Sequence, residues 1–264
     1  MYKLLDKVRS KKPLVHHITN YVTVNDCANI TLEIGASPVM ADSYLEAADI
    51  TAISGALVIN MGTPNEFTAK SMKLAGKKAN EIGIPVVFDP VGAGASKYRN
   101  DIVADIAGEV KLAVLRGNIS EVKFVAGLHS QTKGVDASES DSTDLNSAGE
   151  LAKELAGRLD CVVVISGAVD TVSDGERVAF IENGVPLLGN ITGTGCMCSS
   201  LIGAFCGACP DDPLNAAIAA MACMGIAGEI ASEKVKENGS FRVALHDAIS
   251  QMDVETLQRM VRCG

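Results

Sequence analysis

A chain of 264 residues with 47% hydrophobic side chains has the material for a large core, as one α/β domain or two small ones. Its 32 acidic against 23 basic side chains leave a net charge of −9, which argues against nucleic acid and anionic membrane surfaces as partners, since both reward clustered Lys and Arg. The opening MYKLLDKVRSKKPL lacks the continuous apolar run of a secretory signal, so the eight cysteines read as reduced thiols of a cytoplasmic protein rather than as a disulfide framework.

Short β-branched runs alternate with longer helical stretches. LVHHI (14–18) and ALVIN (56–60) read as buried strands, and NEFTAKSMKLAGKKANEIG (65–83) follows with Phe67, Met72, Leu74, Ala75 and Ile82 at roughly helical spacing. PVVFDP (85–90), LAVLRGN (112–118) and CVVVISG (161–167) continue the series, and their near-continuous apolarity fits a parallel sheet covered on both faces. Between the last two, residues 129–149 are rich in Ser, Asp, Gly and Thr and read as a mobile loop within one domain. The pattern then changes: Asp174-Gly175 between two short β runs signals a hairpin, so the parallel series ends in antiparallel edge strands. Residues 194–263 read as almost wholly helical, and AAIAAMACMGIAG (216–228), short of the ~20 residues that span a bilayer, reads as a buried helix. The sum is one α/β domain over 1–264 with a mixed sheet.

Four loops follow strand ends or open a helix: DPVGAGAS (89–96), RGNISEV (116–122), SGAVD (166–170) and GTGC (193–196). In an open α/β sheet such loops converge on the crevice at the C-terminal ends of the strands. ITGTGC (191–196) is neither a P-loop, which needs Lys-Ser/Thr after its last glycine, nor a dinucleotide fingerprint, which needs a small residue where Cys198 stands. Its glycines at a helix start nevertheless suit a cradle for negative oxygen atoms, with a plain tight turn as the alternative. Asp89 and Glu121 sit at strand ends where they offer oxygen ligands to Mg²⁺ or serve as ordinary turn and cap carboxylates. Arg116 offers a phosphate a forked donor or makes a structural ion pair, and Asn118 is equally suited to capping a helix.

Cys196 stands at a helix N-terminus, where the thiol pKa is expected to fall, and is a candidate base or nucleophile. With Cys198, Cys206 and Cys209 it completes C-x-C-x7-C-x2-C, the count of a zinc site, but 196 and 198 lie on nearly opposite helix faces. The other three read as small buried hydrophobes. His16 and His17 alternate to opposite faces of a strand, so at most one meets the crevice.

Taken in order, PLVHHITNYVTVNDCAN, GASPVMA, ALVINMGT, FDPVGAGAS, LRGN, KGVD and ITGTGC closely resemble the hydroxyethylthiazole kinase family over residues 13 to 230. The resemblance implies a ribokinase-like α/β fold, ATP with Mg²⁺, and γ-phosphate transfer to the hydroxyl of 4-methyl-5-(2-hydroxyethyl)thiazole in thiamin biosynthesis and salvage. It also implies a homotrimer with active sites between subunits. By position it makes Gly193, Thr194 and Gly195 the anion hole, and Gly193 also a substrate contact, with Cys196 beside the acceptor hydroxyl. It assigns Arg116, Asn118, Ser166 and Gly167 to the nucleotide, and Asp89 and Glu121 to metal and phosphate. Met40 is implied as a thiazole contact, and Asn20, in the HITN loop, as the ring's polar side, contributed within the chain or to a neighbouring subunit. His17 departs from the family pattern, where a small serine is usual. Two other readings stay open: a kinase of this fold acting on a pyrimidine, pyridoxal or a sugar, and a non-catalytic nucleotide- or zinc-binding protein.

Overall fold

The computed structural model describes residues 1–127 and 145–264. The expected strand and helix alternation is present. In chain order come α1 (Leu4–Lys11), β1 (Leu14–Ile18), α2 (Val24–Glu33), β2 (Ser37–Met40), α3 (Ala47–Ala52), β3 (Ala56–Asn60), α4 (Glu66–Ile82), β4 (Val86–Asp89), α5 (Lys97–Glu109), β5 (Val114–Asn118) and α6 (Ile119–Val125). Then follow α7 (Leu145–Leu159), β6 (Val162–Ser166), β7 (Asp170–Ser173), β8 (Val178–Ile181), a short 3-10 turn, α8 (Thr194–Ala208), α9 (Pro213–Lys234), α10 (Asn238–Gln251) and α11 (Val254–Met260).

The eight strands form one sheet in the order β2-β1-β3-β4-β5-β6-β7-β8. β1 to β6 pair in parallel, and β7 and β8 run antiparallel around Asp174-Gly175, as the turn signal predicts. The other edge strand, β2, has no sequence expectation behind it. It is four residues long and contains Pro38, which an edge tolerates because one side of the strand needs no donor.

Two apolar layers sandwich the sheet. Ile18, Leu57, Phe88 and Leu115 pack against α4, α5 and α7 on one face; Val15, Val58, Val87 and Val114 pack against α8 and α9 on the other. Helix α8 is buried along its length, with Met197, Leu201, Ile202 and Phe205 at full burial, each contributing about 1.5–3 kcal/mol of transfer free energy. That burial fixes the N-terminus of α8 over the sheet. Helix α4 departs from its expected inward pattern: Met72 and Ala75 are buried, but Phe67 stacks outward on Tyr44 with ring centroids 6.2 Å apart.

Helix α9 is 22 residues long, more than the apolar run suggests, and passes a length-and-hydropathy test for a membrane span; 83% of that window is buried inside the fold. The tail is not wholly helical, since Cys263 bridges to Ile181 and covers part of the β8 edge. Of the loop expected at 129–149, residues 145–149 belong to α7, while KGVD and the rest up to 144 lie outside the described residues.

Candidate active site

The C-terminal ends of β3, β4 and β5 carry Asn60, Asp89 and Asn118, and parallel register sets Asn60 beside Asp89. Asp89 is fully buried. Its Oδ2 accepts from Asn60 Nδ2 (2.9 Å) and Ser199 Oγ (2.6 Å) and lies 3.5 Å from Arg116 Nη1; its Oδ1 is buried without a partner. Desolvation pushes the Asp89 carboxyl up, against the pull of Arg116, Ser199 and Asn60.

Arg116 comes from the middle of β5. Burial opposes its charge, but Asp89 beside it holds the guanidinium firmly protonated. Nη2 donates to Ser166 Oγ (2.7 Å) across the β5–β6 pair, and Nε is buried without a partner. The contacts of Arg116 are thus those of the structural ion pair, with Ser166 as a second partner and Nε left as an unpaired donor.

Helix α8 enters here. Gly193, at φ +92°, is its N-cap, and a Cβ there would stand 2.4 Å from Thr23 Cγ2. A Cβ on Gly195 would stand 2.6 Å from Arg116 Nη1, so the missing side chain is what lets the helix start settle on the guanidinium. No side chain caps this terminus, and the first intrahelical donor is Met197 N to Gly193 O (2.8 Å). The amides of 194–196 thus lie in the first turn, which has no intrahelical acceptors for them, beside a cation. Thr194 adds no hydroxyl, because its Oγ1 donates to Leu188 O and Ile191 O.

Cys196 is half-buried, and its Sγ accepts from Asn20 Nδ2 (3.3 Å). Burial and then the Asp89 charge push this thiol up, which corrects the expectation that the helix N-terminus lowers it. Asn20 belongs to the same chain as the Cys196 it touches. Its Nδ2 also donates to Asn60 Oδ1 (3.0 Å), and its Oδ1 accepts from Thr23 N and Oγ1 (both 3.1 Å).

Glu121 is buried, and Asp89 adds to the desolvation that raises it to about 7. Oε1 accepts from Gly92 N (2.8 Å) and Oε2 from Asn118 N (2.8 Å), while Asn118 Oδ1 accepts from Glu121 N, a reciprocal cap on α6. Asn118 is therefore a cap, and Glu121 ties the 89–96 loop to α6. Arg99 locks that loop from outside by donating to the carbonyls of Met61, Val91 and Gly62 (2.6–2.8 Å). Gly167 N donates to Asp170 Oδ1 (3.0 Å), and burial raises Asp170 to about 6.

Met40 ends β2 opposite His17 in register, half-buried at the same rim. Both histidines are packed away: His16 bonds Thr51 Oγ1 and Ala41 O, and His17 Nε2 bonds Thr31 Oγ1. Cys198, Cys206 and Cys209 are buried in the apolar layer. Among the described residues no group of three or more His, Cys, Asp or Glu side chains gathers at metal-binding distance. Asn60, Ser199 and Asp170 join the site without having been singled out from the sequence. Asn60 had a signal: a polar residue ends ALVIN as Asp89 ends VVFD. A 430 Å³ groove lined by Ile84, Lys111 and Asp160 lies at the opposite ends of the strands, away from this chemistry.

A ribokinase-like superfamily protein of Enterococcus faecalis V583 shares this fold at a TM-score of 0.60 and 12% identity, covering 94% of each chain. The architecture is the ribokinase-like α/β fold. Within it, the chain belongs to the hydroxyethylthiazole kinase family, whose model matches residues 5–255. A hydroxyethylthiazole kinase of Clostridium beijerinckii is 59% identical over 260 residues, covering 97% of this chain and 94% of the relative. The structure of a hydroxyethylthiazole kinase protein from Pyrococcus horikoshii OT3 matches at a TM-score of 0.90 and 38% identity, covering 100% and 97% of the two chains.

Proposed function

We propose that this protein, as one kinase domain in the cytoplasm, transfers the γ-phosphoryl group of ATP to the hydroxyl of 4-methyl-5-(2-hydroxyethyl)thiazole, in thiamin biosynthesis and salvage. The observation that carries the reading is the junction of the uncapped α8 N-terminus, the reserve donor of Arg116 and the half-buried Cys196. First-turn amides and a buried guanidinium together neutralise migrating phosphate oxygens, while the thiol stands where an acceptor hydroxyl would approach.

In this reading Arg116, Ser166 and Gly167 hold the nucleotide, with Asn118 setting the loop through its cap. Gly193, Thr194 and Gly195 supply backbone amides, and Met40 and Gly193 bound the thiazole. Asn20 works through Cys196, because its own bonding capacity is largely used internally. The free Oδ1 of Asp89 is a buried acceptor that suits Mg²⁺ or a water bound to it, and Glu121 positions the adjoining loop. Mg²⁺ usually keeps several waters and takes one or two carboxylates plus substrate phosphates, so a larger protein ligand cluster is not required. When bound, the metal supplies charge neutralisation at the phosphates.

A homotrimer with sites at subunit boundaries is supported by exposed apolar side chains on two loops and the first turn of α4 at this rim. Tyr21 and Leu45 are each 79% exposed and Phe67 67% exposed, side chains that a subunit boundary would cover.

The test is ADP release from ATP, with and without the thiazole, under added Mg²⁺ and under excess chelator. The reading expects release that needs both; thiazole-independent or chelator-resistant release contradicts it.

A further inference from the structure

The two oxygens of Asp89 have opposite surroundings: Oδ2 meets Asn60, Ser199 and Arg116, while Oδ1 is buried without a partner, and of these three Asn60 alone also reaches Asn20. Asn60 is 2% exposed at the end of β3, and its amide is occupied at both ends. Nδ2 donates to Asp89 Oδ2 (2.9 Å); Oδ1 accepts from Asn20 Nδ2 (3.0 Å) and Gly62 N (3.0 Å). Asn20 Nδ2 in turn reaches Cys196 Sγ (3.3 Å). A single buried amide thus ties the acceptor side of the site to the phosphate side. Ser199 Oγ reaches the same Asp89 Oδ2 (2.6 Å) from α8 without joining the Asn20 branch.

We propose that Asn60 is a positioning residue that sets the separation between the Cys196 thiol and the free Oδ1 of Asp89. It touches neither substrate, and the assignment rests on the kinase reading above. Phosphoryl transfer through a loose transition state depends chiefly on alignment and charge, so a residue that fixes the two halves relative to each other acts on turnover more than on binding. Ser199 is its counterpart on the phosphate side alone.

The experiment compares Asn60→Ala and Ser199→Ala with the unaltered protein by steady-state kinetics and by peptide-resolved iodoacetamide labelling of Cys196, with circular dichroism as the folding control. For Asn60→Ala the expectation is a kcat lower by about 10- to 100-fold with both KM values within about three-fold, since small misplacements cost turnover steeply. Cys196 labelling should slow by about three-fold as its Asn20 donor is released. Ser199→Ala should lower kcat with Cys196 labelling unchanged. Unchanged kcat in Asn60→Ala, unchanged or faster labelling, or a loss confined to KM would overturn the proposal. If Asn60→Ala does not fold, Asn60→Ser, which fills more of the space with a hydroxyl too short to bridge, carries the same readings. If the unaltered protein shows no thiazole-dependent turnover, the kinase reading fails, and the labelling comparison alone decides the Asn60–Asn20–Cys196 link.

Discussion

Burial, and after it the charge of Asp89, pushes the Cys196 thiol up, and this shapes what the thiol can do. With its pKa raised, Cys196 is held as a thiol at neutral pH rather than as a ready thiolate. An alcohol attacking a loose transition state needs little prior deprotonation, so a hydrogen-bonding thiol beside it is sufficient. A carboxylate at the same position would keep the Asn20 donor and, unlike the protonated thiol, be ionised at neutral pH and able to accept a proton. Cys196→Asp is therefore expected to retain kcat or raise it; complete loss in a folded variant would contradict the role beside the hydroxyl. Gly195→Ala tests the cradle directly. Its Cβ would meet Arg116, so KM for ATP should rise by about ten-fold or more, with the melting temperature far less affected. An unchanged KM would separate Arg116 from the nucleotide.

At the scale of elements, helix α2 is pinned by two histidines with opposite pH behaviour. His17 on β1 meets Thr31 of α2, whose hydroxyl already donates to Cys27 O (2.7 Å), so the shared proton sits on His17 Nε2. Burial lowers His17 from 6.5 to about 3, so the folded state keeps it neutral while the unfolded chain accepts a proton. Its contribution is intact above about 6.5 and falls as pH drops, by about 1.4 kcal/mol per pH unit. His246 of α10 bonds Glu33 of α2 (2.8 Å) near Asp26 and Arg242, and the Glu33 carboxylate raises it. That contribution is complete below about 6.5 and is lost as pH rises through the elevated value. Denaturant unfolding across pH should show His246→Gln losing most stability, relative to the unaltered protein, on the acidic side; an equal loss at alkaline pH would contradict the assignment. These partnerships were not legible in the sequence, because Glu33 and His246 lie 213 residues apart and only the packing of α2 on α10 joins them.

For the whole molecule, the parallel series, the antiparallel edge and the convergence of the 89–96, 116–122, 166–170 and 193–196 loops could be read from runs of β-branched residues and the turns between them, whereas the edge strand β2 and the order of the strands could not. What could not be read depends on distances that folding creates. The place of Cys196 in α8 points to an activated thiol, and its burial, with the charge of Asp89 added, reverses the sign. Ser199 sat unnoticed in the run CMCSS because its one informative neighbour, Asp89, is 110 residues away. The exposed Tyr21, Leu45 and Phe67 belong to the same scale: light scattering is expected to give three times the 27.4 kDa chain mass, and a monomer that turns over at full rate would contradict sites shared between subunits.

The most direct test of the central claim is a competition in one vessel. ATP and Mg²⁺ would be offered to the protein with equal amounts of hydroxyethylthiazole, a hydroxymethylpyrimidine, pyridoxal and ribose, and the phosphate esters would be counted by mass spectrometry. The account predicts the thiazole ester in excess over each other ester by about 100-fold, the scale on which a fitted site discriminates. Preferential formation of any other ester would leave the kinase fold standing and contradict the assigned acceptor.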